Sequence, residues 1–372
     1  MKFIPYGRQV IDESDIKAVV KVLRSDWLTQ GPAVRQFEES LAKYCNAEYA
    51  VAVSNGTAAL HLAYLAAGLK AGDEVITTPN TFAATTNMLL AIGAKPVFCD
   101  IRLDNYNIDE SKIETLITPK TKAIVPVHFG GHPCNMDKIL SLAKRHNLLV
   151  IEDACHALGA SYKNKKIGGI GDMSVFSFHP VKSITTGEGG AILTNSQDFY
   201  KKLLHLRTHG ITKDADGFNV MTALGYNYRI TDIQTALGIS QLKKLGKFVK
   251  ARQQVFNSYK TELASVKEIS TPSISKNTVS ANHLFVIRTK DPVKRNPLAN
   301  FLKQNDIGVN FHYPMVYSHP YYRENGYQNV TLKNADLYHN SCITLPLYAT
   351  LKIPEIKYIC KKIKKFFTQN NP

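Results

Sequence analysis

Apolar positions along the chain follow two spacings that change in step. From about residue 35 to 195, short β-branched runs at 49–53, 74–77, 96–99, 123–127, 148–151 and 174–178 alternate with stretches of helical periodicity such as 57–68, 81–92 and 135–146. This alternation predicts a mostly parallel sheet covered by helices, because parallel neighbours need a long crossover and a helix is its usual form. Ligands on such sheets gather beyond the carboxyl ends of the strands, so residues just after each run are the first candidates for chemistry. Past residue 230 the pattern changes. A long charged helical segment at about 231–262 leads to a Ser/Thr/Pro-containing link at 269–280 and a strand-like run at 283–287. A helix near 294–305, a Tyr/His/Pro-rich loop at 311–322 and a terminal basic helix follow. The chain therefore divides into a large α/β unit over 1–245 and a small C-terminal α/β unit over 246–372. The N-terminal arm, which enters a helix near Asp12, is expected to pack on the large unit.

Composition narrows the classes of function. With 372 residues, 44% apolar and 20% charged, the chain can build a sizeable enzyme core. No stretch approaches the roughly 18 consecutive apolar residues of a membrane span, and residues 1–8 lack the apolar centre of a signal peptide. The expectation is a cytoplasmic protein with no membrane partner. Six scattered cysteines without a CxxC pair read as buried thiols, and His128, His132, His205 and His209 lack metal-ligand spacing. An excess of 46 Lys+Arg over 30 Asp+Glu gives +16, which attracts nucleic acid, membrane surfaces and small anions alike. Lys243, Lys244, Lys247 and Lys250, and the basic run from Lys357 to Lys365, fall at solvent-facing helical spacing. They lack the stacking aromatics or reading motif of a nucleic-acid binder.

Three segments carry candidate chemistry. In Ser54-Asn55-Gly56-Thr57 a strand ends, a glycine permits close backbone approach and a helix begins with donors facing outward, which makes a phosphate cup. The same pattern fits a plain turn capped by Ser54 or Thr57. Asp153 directly follows an apolar strand and could hold a cationic ring nitrogen or cap a helix, and His156 could touch the same ligand or sit in the core. In the third segment a strand runs out into Ser177, Lys182 follows, and Gly187-Glu188-Gly189-Gly190 turns into another apolar run. Glu188 reads as part of that turn rather than as an acid catalyst. A lysine so placed, beside a phosphate cup and a strand-end acid, suggests Schiff-base chemistry.

Taken in order, these segments resemble the DegT/DnrJ/EryC1/StrS sugar aminotransferases, fold-type-I pyridoxal-phosphate enzymes. The resemblance spans nearly the whole chain and includes Leu28-Thr29-Gln30-Gly31-Pro32, the stretch from Thr78 to Thr85, and Gly225-Tyr226-Asn227-Tyr228-Arg229. It implies a large domain with a mainly parallel sheet between helices, plus a smaller C-terminal α/β domain. Lys182 would bind pyridoxal phosphate covalently and then, as a free amine, move the proton between the donor Cα and C4′ of the cofactor. Asp153 would pair with the pyridinium N1, Phe82 would stack on the ring, and Gly56, Thr57 and Ser177 would hold the phosphate. His156 stands where many members have Gln against the 3′-oxygen. Asn227 would reach the phosphate from a neighbouring subunit, implying a homodimer with shared sites.

Within the family, His156 together with His312-Tyr313 is similar to the branch serving pseudaminic acid biosynthesis. That branch moves the amino group of L-glutamate, through pyridoxamine phosphate, to C4 of a UDP-linked 4-keto-6-deoxy-N-acetylhexosamine. By the same resemblance Tyr6, Asp26, Trp27, Leu28, Thr29, Asn227, His312, Tyr313, Pro314 and Met315 are expected at the nucleotide sugar, although the 311–322 loop also fits a Tyr-rich packing surface. Another nucleotide-linked keto sugar, or a non-catalytic role on the same fold, remains open from sequence. The family's dehydratase branch carries His where Lys182 stands.

Overall fold

The computed structural model describes residues 3–369. The predicted runs hydrogen-bond into one seven-stranded sheet of β1 (Tyr49–Val53), β2 (Glu74–Thr77), β3 (Lys95–Phe98), β4 (Thr121–Val125), β5 (Leu149–Asp153), β6 (Met173–Ser177) and β7 (Gly190–Thr194), ordered β1-β7-β6-β5-β4-β2-β3. Strands β6, β5, β4, β2 and β3 are mutually parallel, whereas β7 runs antiparallel to both its neighbours. No helix separates β6 from β7, so the chain returns beside β6 through a loop, and that loop carries Lys182. Helices cover both faces, which is why β1 buries Ala50 through Val53 without alternation.

Helix α1 (Glu13–Leu23) opens on Asp12 with a capping box, and α2 (Pro32–Cys45) buries Phe37 and Leu41. Helix α3 (Gly56–Ala66) is apolar on nearly every side and lies buried between the sheet and its neighbours α4 (Ala84–Ala91) and α6 (Gln197–Arg207), with α5 (Met136–His146) preceding β5. Its cap is Asn55, whose side chain accepts from the Ala58 amide at 2.8 Å. The two capping residues weighed from sequence do not serve: Ser54 stands one residue before the cap, its Oγ accepting from Asn55 Nδ2 at 3.5 Å, and Thr57 already lies inside the helix.

The 31-residue helix α7 (Asp232–Glu262) crosses the expected 245/246 boundary without a break. Its Leu242, Leu245 and Phe248 belong to the core of the large unit, whereas Val255, Phe256 and Tyr259 belong to that of the small unit. The small unit is an antiparallel sheet of β8 (Ile269–Ser270), β9 (Phe285–Thr289) and β10 (Cys342–Leu345), packed by α8 (Arg295–Gln304), α9 (Lys333–Ser341) and α10 (Ile353–Gln369). One expectation is corrected here. The start of the arm packs on the small unit, where Ile4 pairs with Ile307 and fills its core. From Val10 onward the arm docks on the large unit, as expected: Val10 packs on that unit's core, Val10 O accepts from Gln241 Nε2 at 2.8 Å, and α1 packs on α7. No helix among the described residues is long and apolar enough to cross a membrane. The six cysteines are free, and five of them are buried.

Candidate active site

The carboxyl ends of β5 and β6, the first turn of α3, the 310–313 loop of the small unit and Tyr6 enclose a cavity of about 740 Å³. That is room for a cofactor and part of a second ligand. At one wall the Asp153 carboxylate, 5% exposed, accepts from Thr85 Oγ1 at 2.7 Å and from the Cys155 amide at 3.2 Å. Thr85 has a single hydroxyl proton, and giving it to Asp153 leaves Thr85 to accept from Thr81 Oγ1 at 2.7 Å. Two threonines thus aim a buried carboxylate with neutral donors, a setting that suits a protonated ring nitrogen.

At the opposite wall, the first amides of α3 have no partner within the helix. Asn55 caps Ala58, so the Gly56 and Thr57 amides face the cavity end of the helix. A methyl group on Gly56 would stand 2.9 Å from Ser177 Cβ, so only glycine lets this helix end lie against Ser177. Backbone donors, a helix N-terminus and a serine hydroxyl together fit a phosphate.

Lys182 lies between these walls on a turn closed by its amide to His179 O at 2.9 Å. Burial lowers its pKa from the usual lysine value; Cys155 and Asp153 oppose that shift, and Arg252 adds to it. Facing it, His156 accepts from the Gly130 amide at Nδ1, 3.3 Å away. Its proton therefore sits on Nε2 and is donated to the Tyr313 hydroxyl at 3.1 Å. The Tyr313 proton is left for the cavity. Phe82, 62% exposed, forms the rim with its ring 6.1 Å from that of Tyr313. The His283 ring lies 4.5 Å from His156, and His312 Nδ1 is 2.9 Å from Thr344 Oγ1.

Burial, reinforced by the charge on Lys182, pushes His156 and His283 well below the ordinary histidine range and His312 down to about 3. Burial also lowers His132 to about 4. Each of these folded-state values lies below 6.5, so between them the unfolded chain binds more protons than the native one. Their contribution to stability is present above pH 6.5 and is lost as pH falls through the folded values. The protein freed of cofactor is expected to lose about 1.4 kcal/mol per pH unit for each of His132 and His312 once pH is well below 6.5, with His156 and His283 acting in the same direction. Denaturation midpoints between pH 7 and about 4.5, above the range where carboxylates dominate, test this; a flat profile there would contradict it.

The cavity brings together Gly56, Thr57, Phe82, Asp153, His156, Ser177 and Lys182 with Tyr6, His312 and Tyr313. Other expected residues lie elsewhere. Asp26, Trp27, Leu28 and Thr29 form an exposed turn at the start of α7, where Leu28 O accepts from the Asp232 amide at 3.0 Å. Asn227 is exposed and outside the cavity lining. Met315 is fully buried with Phe98 and Tyr317, so its side chain supports the loop from below, and Pro314 does not line the cavity either. Sequence reasoning passed over Thr81, Thr85, His283 and Arg252. The first two were legible as hydroxyls one helical turn apart, whereas Arg252 reads as one more base on a charged helix.

This fold and site define a pyridoxal-phosphate-dependent aminotransferase. The chain belongs to the DegT/DnrJ/EryC1/StrS aminotransferase family, whose sequence profile matches residues 9–364. It is 40% identical over 374 residues to the UDP-4-amino-4,6-dideoxy-N-acetyl-beta-L-altrosamine transaminase of Campylobacter jejuni serotype O:23/36, covering 97% of this chain and 99% of that one. The structure of Helicobacter pylori PseC, an aminotransferase involved in the biosynthesis of pseudoaminic acid, superposes with a TM-score of 0.95 at 34% identity, covering 99% of this chain and 100% of that one. Spr1654 from Streptococcus pneumoniae, solved in its PLP form, superposes with a TM-score of 0.94 at 29% identity over the whole of both chains. The enzyme acts on nucleotide sugars and uses pyridoxal phosphate.

Proposed function

We propose that this enzyme transfers the amino group of L-glutamate to C4 of UDP-2-acetamido-2,6-dideoxy-β-L-arabino-hex-4-ulose, giving UDP-4-amino-4,6-dideoxy-N-acetyl-β-L-altrosamine and 2-oxoglutarate. The observation that carries this choice of sugar is the near full-length similarity to the Campylobacter transaminase, with the His156–Tyr313 pair facing Lys182. Glutamate is oxidised to the keto acid as the keto sugar is reduced to the amine, so no outside reductant enters. When bound, the cofactor would supply an electron sink and carry the amino group between the two half-reactions.

The chain's own residues supply the rest. Lys182 Nζ, biased towards its neutral form by burial, would take a proton from the donor Cα and, in the second half, give one to C4 of the sugar. Asp153, held by Thr85, would keep the ring N1 protonated, and Gly56, Thr57 and Ser177 would hold the phosphate. The free proton of Tyr313 donates to an oxygen in the cavity. The net charge of +16 favours arrival of an anionic nucleotide sugar. On this reading the enzyme is cytoplasmic and lies on a route to pseudaminic acid.

The test is to incubate the enzyme with pyridoxal phosphate, L-glutamate and a panel of nucleotide-linked keto sugars, following 2-oxoglutarate and amino sugar by mass. Turnover confined to the UDP-linked β-L-arabino sugar supports the proposal. Turnover only with another sugar replaces the substrate and keeps the chemistry.

The reading includes a homodimer in which Asn227 reaches the partner's phosphate cradle. Its support is the exposed position of Asn227 at the end of a hairpin whose Phe218, Met221 and Leu224 are 70%, 68% and 73% exposed, an apolar patch suited to burial against a second copy. Mixing Lys182→Ala protein with Asn227→Ala protein, after dissociation and reassociation, is expected to yield more activity than the two parents summed. Each mixed dimer then contains one fully native site. Activity no greater than that sum would leave each site within a single chain.

A further inference from the structure

Arg252, on α7 just beyond its change from the core of the large unit to that of the small unit, is 3% exposed. Its guanidinium meets main-chain carbonyls from three separate segments. Nη2 donates to Val181 O at 3.3 Å and Lys182 O at 3.4 Å, and Nη1 donates to Leu347 O at 3.1 Å and His283 O at 3.4 Å. Nε finds no partner among the described residues. All four acceptors are neutral, so a buried cation stands without a counter-ion among the described residues, an arrangement that folding alone disfavours.

Val181, Lys182 and His283 line the cavity, and Leu347 holds a further lining residue, Tyr6. Leu347 donates its amide to Tyr6 O at 3.1 Å, and the ring of His283 lies against His156. Cys155 and Asp153 favour the charged form of the Lys182 amine, whereas Arg252 opposes it; His156, His283 and His312 also stand within its electrostatic reach. Asp153 is the anion of that set, and Arg252 is the fixed cation.

We infer that Arg252 is the positioning residue of Lys182: it clamps the lysine's main chain to His283 in the cavity wall and to Leu347, which holds Tyr6, and sets an unpaired positive charge beneath the lysine loop. This rests on the reading of Lys182 as the cofactor-binding lysine. The clamp fixes the amine relative to Tyr6 and His283, and the charge raises the fraction of neutral amine available to take a proton.

The test uses full-length protein freed of cofactor, as wild type, Arg252→Gln and Arg252→Lys. Lys182 acetylation by acetic anhydride is followed against pH by peptide mass, with exposed Lys357 as the internal standard. In Arg252→Gln the half-reaction pH of Lys182 is expected to rise by about one unit. Arg252→Lys keeps the charge but loses the fork, so its half-reaction pH should stay near wild type while kcat falls about tenfold at unchanged KM. An unmoved acetylation profile in Arg252→Gln, with only a lower melting temperature, would reduce the arginine to packing. Should Arg252→Gln fail to fold, Arg252→Lys decides alone: wild-type kcat overturns the clamp. Borohydride fixation of pyridoxal phosphate onto wild-type Lys182 is run alongside. Its absence would remove the reading of Lys182 itself, a failure distinct from that of the clamp.

Discussion

Lys182→Ala is expected to lower amino-sugar formation by about four orders of magnitude while leaving the fold intact. The size of the loss follows from what surrounds Nζ. His156, His283 and His312 have pKa values driven far below neutrality, so none is a competent base for a carbon acid. Burial raises the Tyr313 phenol far above its usual value, so it can donate a hydrogen bond but not take a proton at neutral pH. Asp153 is already held by Thr85 and Cys155. None of these five groups can therefore inherit the lysine's task. Burial holds the folded-state pKa of Lys182 below the ordinary lysine value, so its charged form opposes folding at neutral pH. The alanine variant should consequently melt no lower than wild-type apoprotein. Single-turnover mass detection with parallel thermal melts checks both statements, and turnover within tenfold of wild type would remove Lys182 from the mechanism.

Much of the architecture was legible because the large unit is built of strands buried on both faces. Such strands appear as continuous β-branched runs, and helices α3 and α5 fall within a residue or two of their predicted stretches. The antiparallel strand β7 was visible as a run but not as a reversal, since direction depends on the crossover rather than on the strand. The cavity lining was legible where residues sit at or just past a strand end, as at Asp153, Ser177 and Lys182. It was hidden where residues distant in sequence converge. Periodicity cannot show that Thr85 reaches Asp153, that Tyr313 meets His156, or that Arg252 turns inward beneath the lysine loop. The same limit explains Asp26 to Thr29. A loop can match a relative's motif and still lie outside the cavity of a single chain.

Asp153→Asn is expected to lower kcat by about 10² to 10³-fold with little change in the KM of either substrate. The asparagine keeps the shape of the side chain, and its carbonyl oxygen can still accept from Thr85, so the pocket need not collapse. What changes is the group turned towards the ring. A carboxylate accepts a proton-bearing N1, whereas the amide's own hydrogens would meet that proton, so the ring binds with N1 unprotonated and draws electrons less strongly. The step that suffers is proton removal at the donor Cα. Donor affinity depends on other contacts and should survive. An isotope effect from deuterium at the Cα of glutamate should therefore grow in the variant. Thr85→Val, which removes one donor from the carboxylate without touching the ring, should give a smaller loss of about tenfold, or ~1.4 kcal/mol. A raised KM for glutamate with unchanged kcat in Asp153→Asn would put the carboxylate at the donor rather than at the ring nitrogen, and Thr81 and Thr85 would then be orienting a substrate anchor.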